Sequence, residues 1–133
     1  MVEAGREFAL VVKKREQDPQ ALYALALYFR DSHLFSLSIA CAEKIARLGN
    51  EAGAPPAPRW LWQLRYPTYY ADLVVAEAKA NKMDPLLYLA LIRQESGFNS
   101  WATSSAKARG LGQVMPATGR GTGSVLDAPR LLP

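Results

Sequence analysis

The sequence predicts an all-α protein, and three observations lead to that expectation. Apolar residues recur at three- and four-residue spacing in several stretches, Asp-Pro pairs stand where helices would begin, and glycines stand where helices would end. The chain has 133 residues, half of them hydrophobic and 21% charged, the make-up of a globular protein of one domain or two small pieces. The pattern divides it into a helical segment over 1–50, a Pro-rich linker over 51–58 and a second helical domain over 59–133 with an irregular C-terminal tail.

Residues 3–16 predict a first helix. Asp18-Pro19 opens a second, with Leu22, Leu25, Tyr28 and Phe29 on one face. Ser32 is expected to cap a third, which carries Leu34, Leu37, Cys41, Ile45 and Leu48 before Gly49. The second and third helices make a hairpin. The linker, Glu51-Ala52-Gly53-Ala54-Pro55-Pro56-Ala57-Pro58, is semi-rigid by composition. Trp60 and Trp62 follow it, and large aromatics at such a place more often pack than bind sugar.

Pro67 is placed for the first turn of a further helix, with Tyr70, Leu73, Val74 and Ala78 on one face. Asp84 and Pro85 then cap and open a helix whose Leu86, Leu87, Leu89, Ala90, Leu91 and Ile92 wrap apolar surface almost all round, so this helix is expected to be buried. Gly97 is its left-handed stop, which puts Glu95 in the last turn. Burial beside apolar residues and the negative end of the helix dipole would both favour the protonated carboxyl, the form a general acid needs. On its own, a Glu in a last turn reads as a solvated surface residue. From Gly119 onward, Gly and Pro are frequent and no helical period is visible.

Several functional classes are disfavoured. No apolar run approaches a membrane span, and Met1–Glu7 lacks the basic start and apolar run of a signal peptide. The net charge is +4, but residues 59–133 hold nine Lys/Arg against five Asp/Glu while residues 1–58 hold seven of each. That excess is unclustered and accompanies no nucleic-acid motif. His33, the one histidine, has no Cys or carboxylate cluster beside it, so no metal site is expected. Cys41 is the one cysteine, on an apolar helix face, and cannot form an internal disulfide.

Ala90-Leu91-Ile92-Arg93-Gln94-Glu95-Ser96-Gly97-Phe98-Asn99, followed by Ala102-Thr103-Ser104-Ser105-Ala106-Lys107-Ala108-Arg109-Gly110-Leu111-Gly112-Gln113-Val114-Met115-Pro116-Ala117-Thr118, resembles the signature of the soluble lytic transglycosylase family. Tyr66-Pro67 and Asp84-Pro85 are similar to its usual lead-in. The resemblance implies a lysozyme-like α domain that cleaves the β-1,4 bond between N-acetylmuramic acid and N-acetylglucosamine in peptidoglycan. It implies no cofactor. Glu95 would protonate the glycosidic oxygen and then, as a base, take the proton from the muramoyl 6-hydroxyl, closing a 1,6-anhydro ring. Ser104 and Gln113, with Ser96 beside the acid, would hold the sugar or steady the carboxyl group. Ordinary glycoside hydrolysis uses two carboxylates, and after Glu95 only Asp127 remains, which suits a single acid and an internal nucleophile.

The departures from the family pattern are specific. Lys107 stands where a Gly is usual in the Ser-x-Ala-Gly-Ala turn, so positive φ there would cost on the order of 1–2 kcal/mol. Gly112 replaces the usual Met before Gln113. The family's later Ala-Tyr-Asn-Ala-Gly segment is absent, so the resemblance covers the N-terminal half of a catalytic domain. In the first half, the cadence Ala24-Leu25-Ala26-x-Tyr28 and Ala40-x-Ala42-Glu43 resembles one unit of a tetratricopeptide-type solenoid, which implies a surface for a protein partner.

Taken together, the expectation is a helical-repeat remnant followed by a partial lytic transglycosylase domain acting on peptidoglycan in the cell envelope. A mildly basic cleft would suit that anionic polymer. Two alternatives stand beside it: a goose-type lysozyme-like hydrolase, and a non-catalytic fragment that binds protein or glycan.

Overall fold

The computed structural model describes residues 2–125, with side chains from 7 to 121. Seven helices are present among the described residues: α1 (Val2–Lys14), α2 (Pro19–Asp31), α3 (Phe35–Glu51), α4 (Arg59–Arg65), α5 (Ala71–Ala80), α6 (Pro85–Ser96) and α7 (Pro116–Val125). The all-α expectation holds. The chain forms two compact units, Met1–Tyr69 and Tyr70–Pro133.

In the first unit, α2 starts where the Asp-Pro pair predicts. Asp18 Oδ1 accepts from the backbone N–H groups of Gln20 and Ala21 at 3.1 and 3.0 Å, satisfying two donors that the helix leaves open. The start of α3 differs from expectation. Ser32 ends α2 instead of capping α3, because its N–H donates to the Tyr28 carbonyl at 2.9 Å and Leu34 N–H to the Phe29 carbonyl at 2.7 Å. The chain then reverses through His33 at φ 58, and Leu34 takes the N-cap position without a side-chain bond. His33 lies in the turn with its ring edge-on to Phe35.

Helices α2 and α3 pack as the expected hairpin around one core. Leu22, Ala26 and Phe29 are wholly buried against Cys41, Ala42 and Ile45, with Val12 of α1 closing one side. Ser38 is the single buried polar residue of this core among the described residues, and its hydroxyl donates to the Ala26 carbonyl at 2.8 Å.

The unit does not end at the linker. Helix α4 belongs to it, because Leu61 and Leu64, three residues apart on one face, are 4% and 6% exposed in the same core. The sequence-based boundary at 58/59 therefore lies about one short helix before the structural one. Trp60 and Trp62 remain partly exposed on the other faces of α4: Trp60 rests on Tyr23, and Trp62 stacks on Tyr66 with the Arg65 guanidinium over its ring.

In the second unit, α5 begins four residues after Pro67, at Ala71, since Tyr70 takes a left-handed conformation at φ 61 and occupies the N-cap. Val74 and Ala78 of α5 are buried, as are Leu89 and Ile92 of α6, Phe98 and Ala108. The expectation that α6 is buried fails on its other side. Leu86, Leu87 and Leu91 are 70%, 64% and 46% exposed, because no described element of this unit covers that side of the helix. The tail also differs: residues 116–125 form α7, opened by Pro116, despite glycines at 119, 121 and 123. The remainder of the predicted irregular tail, 126–133, and Asp127 with it, lies outside the described residues.

Candidate active site

Helix α6 is bounded by local chemistry that the sequence states openly. Asp84 Oδ1 accepts from Leu86 N–H at 2.8 Å at the start. At the end, Gly97 adopts φ 57, and its N–H donates to the Arg93 carbonyl at 3.0 Å. Phe98 follows with a second left-handed φ of 62, and its ring is buried. These two residues turn the chain sharply out of α6 just past Glu95.

Glu95 is exposed, and among the described residues its carboxylate takes part in no hydrogen bond or ion pair. The expectation of a buried carboxyl is not met in this unit. The reason is the uncovered side of α6, where the leucines that were to enclose it face outward. What the structure keeps is the other half of the expectation, a carboxylate at the carbonyl end of a helix.

Beyond Phe98, residues 99–115 form a loop with almost no regular structure and many internal bonds. Asn99 Oδ1 accepts from Trp101 N–H at 3.0 Å. Ser104 Oγ accepts from Ala108 N–H at 3.0 Å, while Ser104 N–H donates to the Ala108 carbonyl at 3.0 Å. Lys107 sits inside this tight turn at φ 66, the strained conformation expected where a Gly is usual. Arg109 forms isolated bridges with Thr103 and Val114, which tie the two ends of the loop together.

Gln113 locks the same loop through its side chain. Its Nε2 donates to the Gly110 carbonyl at 2.9 Å and to the Ala102 carbonyl at 3.2 Å, and its own backbone is left-handed at φ 48. Ser96 Oγ donates back to the Ile92 carbonyl at 3.1 Å within α6. Ser104 and Gln113 thus share one loop, which Ser104 braces at Ala108 and Gln113 at Ala102 and Gly110. Ser96 and Glu95 are neighbours on α6, and no hydrogen bond joins Glu95 to Ser104 or Gln113.

One residue was missed by the sequence reading. Trp101 is 74% exposed on this loop, the most exposed of the large hydrophobic side chains described. An exposed indole is able to carry a sugar ring on its face. The available signal was the Asn99-Ser100-Trp101 step, in which an Asx turn lifts the next aromatic out of the loop.

Residues 72–129 match the family described as Transglycosylase SLT domain. Over those residues the second unit is similar to the SLT domain family. The chain is also 30% identical over 129 residues to a soluble lytic murein transglycosylase of Salmonella typhimurium, an alignment that covers 95% of this chain and 18% of that protein. A putative soluble lytic murein transglycosylase of Haemophilus influenzae is 39% identical over 57 residues, covering 43% of this chain and 10% of the relative. Among solved structures, an inactive mutant of the lytic transglycosylase Slt from Pseudomonas aeruginosa aligns with a TM-score of 0.72 and 26% identity, over 98% of this chain and 19% of that one. The 70 kDa soluble lytic transglycosylase SLT70 of Escherichia coli aligns with a TM-score of 0.69 and 26% identity, over 96% of this chain and 18% of that one. The chain therefore spans under a fifth of the length of each of these relatives. Its all-α fold agrees with the lysozyme-like and helical fold of SLT70.

No helix of the described residues is long and apolar enough to cross a membrane. Among the same residues, no group of three or more His, Cys, Asp or Glu side chains is placed to hold a metal ion.

Proposed function

We propose that this chain carries the acid-bearing part of a lytic transglycosylase that cleaves peptidoglycan in the cell envelope, with Glu95 as the single general acid and base. The observation that weighs most is the SLT match together with the placement of Glu95 at the end of α6, immediately before the left-handed Gly97 and the braced loop. Protonated Glu95 gives its proton to the glycosidic oxygen as the bond to the muramoyl C1 breaks. The carboxylate then takes the proton of the muramoyl 6-hydroxyl, whose oxygen closes on C1. No water is consumed, and one carboxyl group serves both steps.

Ser104 and Gln113 are proposed to hold the sugar through the atoms the loop leaves over. Ser104 Oγ accepts from the backbone and keeps its O–H to donate, while Gln113 spends Nε2 on the loop and keeps Oε1 to accept. Ser96, whose hydroxyl donates within α6, steadies the last turn beneath Glu95. The first unit is proposed to derive from a helical repeat that meets a protein partner, on the likeness of the α2–α3 hairpin to a tetratricopeptide unit.

The exposure of Glu95 favours a second reading, in which this stretch of chain holds glycan without turning it over. Mass spectrometry of muropeptides, after incubation of purified peptidoglycan with the chain and with its Glu95→Gln variant, separates the readings. Products lighter by one water, formed only with Glu95, are the expected result. Reducing-end products would indicate a hydrolase of the goose lysozyme type, and no Glu95-dependent product from folded protein would leave the binding reading.

A further inference from the structure

The first unit contains a pocket of about 470 Å³, between α2, α4 and the turn over 66–69, whose walls include Tyr23, Arg30, Trp60, Gln63, Tyr66 and Tyr69. Its volume lies within the usual range for small-ligand sites. Four of these six walls are aromatic, and their surroundings fix them. Tyr23 and Trp60 pack against each other with ring centroids 4.7 Å apart, yet remain 38% and 40% exposed. Tyr69 stacks on Phe35 at 3.8 Å and is hydrogen-bonded to Ser38, whose hydroxyl is itself anchored on Ala26. Ser38 spends its one hydroxyl proton on Ala26, so the Tyr69 O–H donates to Ser38 Oγ, and burial pushes the phenol up.

The charge of the pocket is one-sided. Among the described residues, Arg30 is the only Lys, Arg, Asp or Glu on its walls. Asp31 takes the Arg30 Nε at 2.8 Å but does not line the pocket, and the guanidinium's two terminal nitrogens have four N–H donors for a ligand. Tyr23 and Tyr69 line the same pocket as this guanidinium. Flat aromatic faces, a ring of amide and phenol groups and one planar cation favour a pyranose ring that carries a carboxylate: the ring rests on the aromatics and the acid pairs with the guanidinium. An extended apolar peptide would find only Leu27, Leu64 and Pro67 as aliphatic wall.

We propose that this pocket is a binding site for a carboxylate-bearing sugar, separate from the Glu95 residue and independent of catalysis there. Only the choice of probe rests on the proposed function, since N-acetylmuramic acid has the required chemistry.

The test is a nuclear magnetic resonance titration of the 133-residue chain with N-acetylmuramic acid, with its methyl ester and N-acetylglucosamine as controls. The indole N–H of Trp60 is expected to shift in a saturable manner, and both controls to bind about tenfold more weakly, the effect of losing one charged hydrogen-bonded pair. Arg30→Gln should bring the acid down to the level of the ester, and Glu95→Gln should leave the Trp60 response as it was. Equal binding of acid and ester to the unmutated chain would overturn the proposal without any variant. So would a response confined to Trp101 and residues near Glu95, which would support the proposed active site alone, or no saturable response at Trp60.

Discussion

The two units differ in how completely they enclose their own apolar side chains. In the first, Leu22, Ala26, Phe29, Cys41 and Ala42 are entirely removed from solvent, and four helices contribute to a single core. In the second, six of the described residues are buried, while three leucines of α6 stay in the open. The unit that carries the SLT signature is thus the less enclosed one, and the better-packed unit is the one with no signature. The difference teaches that a sequence motif and the burial of the residues that carry it are separable. Local caps and turns place Glu95 in the last turn of α6, but a carboxyl group is tuned by whatever covers it, and among the described residues of this unit the cover is thin.

The contrast can be broken most forcefully in the core of the first unit. Phe29→Ala should cost about 3–5 kcal/mol in urea-induced unfolding of that unit, as large-to-small changes at wholly buried aromatics do. A loss below about 1 kcal/mol would show that the first core is no tighter than the second.

A smaller effect should follow from Cys41. Burial pushes its thiol up from 9.0 to about 11, so the folded state keeps a proton that the unfolded state releases between those values. The associated stability is fully present below pH 9 and is lost as pH rises toward 11, in total on the order of 2 kcal/mol. Cys41→Ala should flatten this alkaline decline in a series of urea midpoints, and an unchanged slope would remove the thiol as its source.

The smallest effect belongs to the second unit. Lys107 holds φ 66 without a glycine's freedom, so Lys107→Gly should stabilise the loop by about 1 kcal/mol after allowance for the entropy that glycine loses on folding. A thermal shift in the opposite direction would mean that the lysine side chain contributes more than its backbone costs.

How much of this was legible depended on whether the deciding interaction was local. Asp18, Asp84 and Gly97 act on backbone groups within three or four residues, and each end they predict is present. The positive φ at Lys107 was legible only through the resemblance, which puts a Gly at that turn position. Ser32 deceived because a serine suits the close of one helix as well as the opening of the next, and the bonds to Tyr28 and Phe29 decided it. Helix α4 was missed because seven residues give too little periodicity; its membership of the first unit rests on Leu61 and Leu64 finding a distant core. The exposure of Glu95 and of the α6 leucines was illegible in principle, since periodicity shows that a face is apolar and says nothing of what is available to cover it.

The double use of the Gln113 amide has a spectroscopic consequence. Its two Nε2 protons are held by different carbonyls, Ala102 and Gly110, at unequal distances of 3.2 and 2.9 Å. They should therefore appear as a pair of side-chain resonances shifted from the positions of free surface glutamines and exchanging more slowly with solvent. That pair is a built-in gauge of loop integrity, readable in a single two-dimensional spectrum without a label, a substrate or a mutation in the loop.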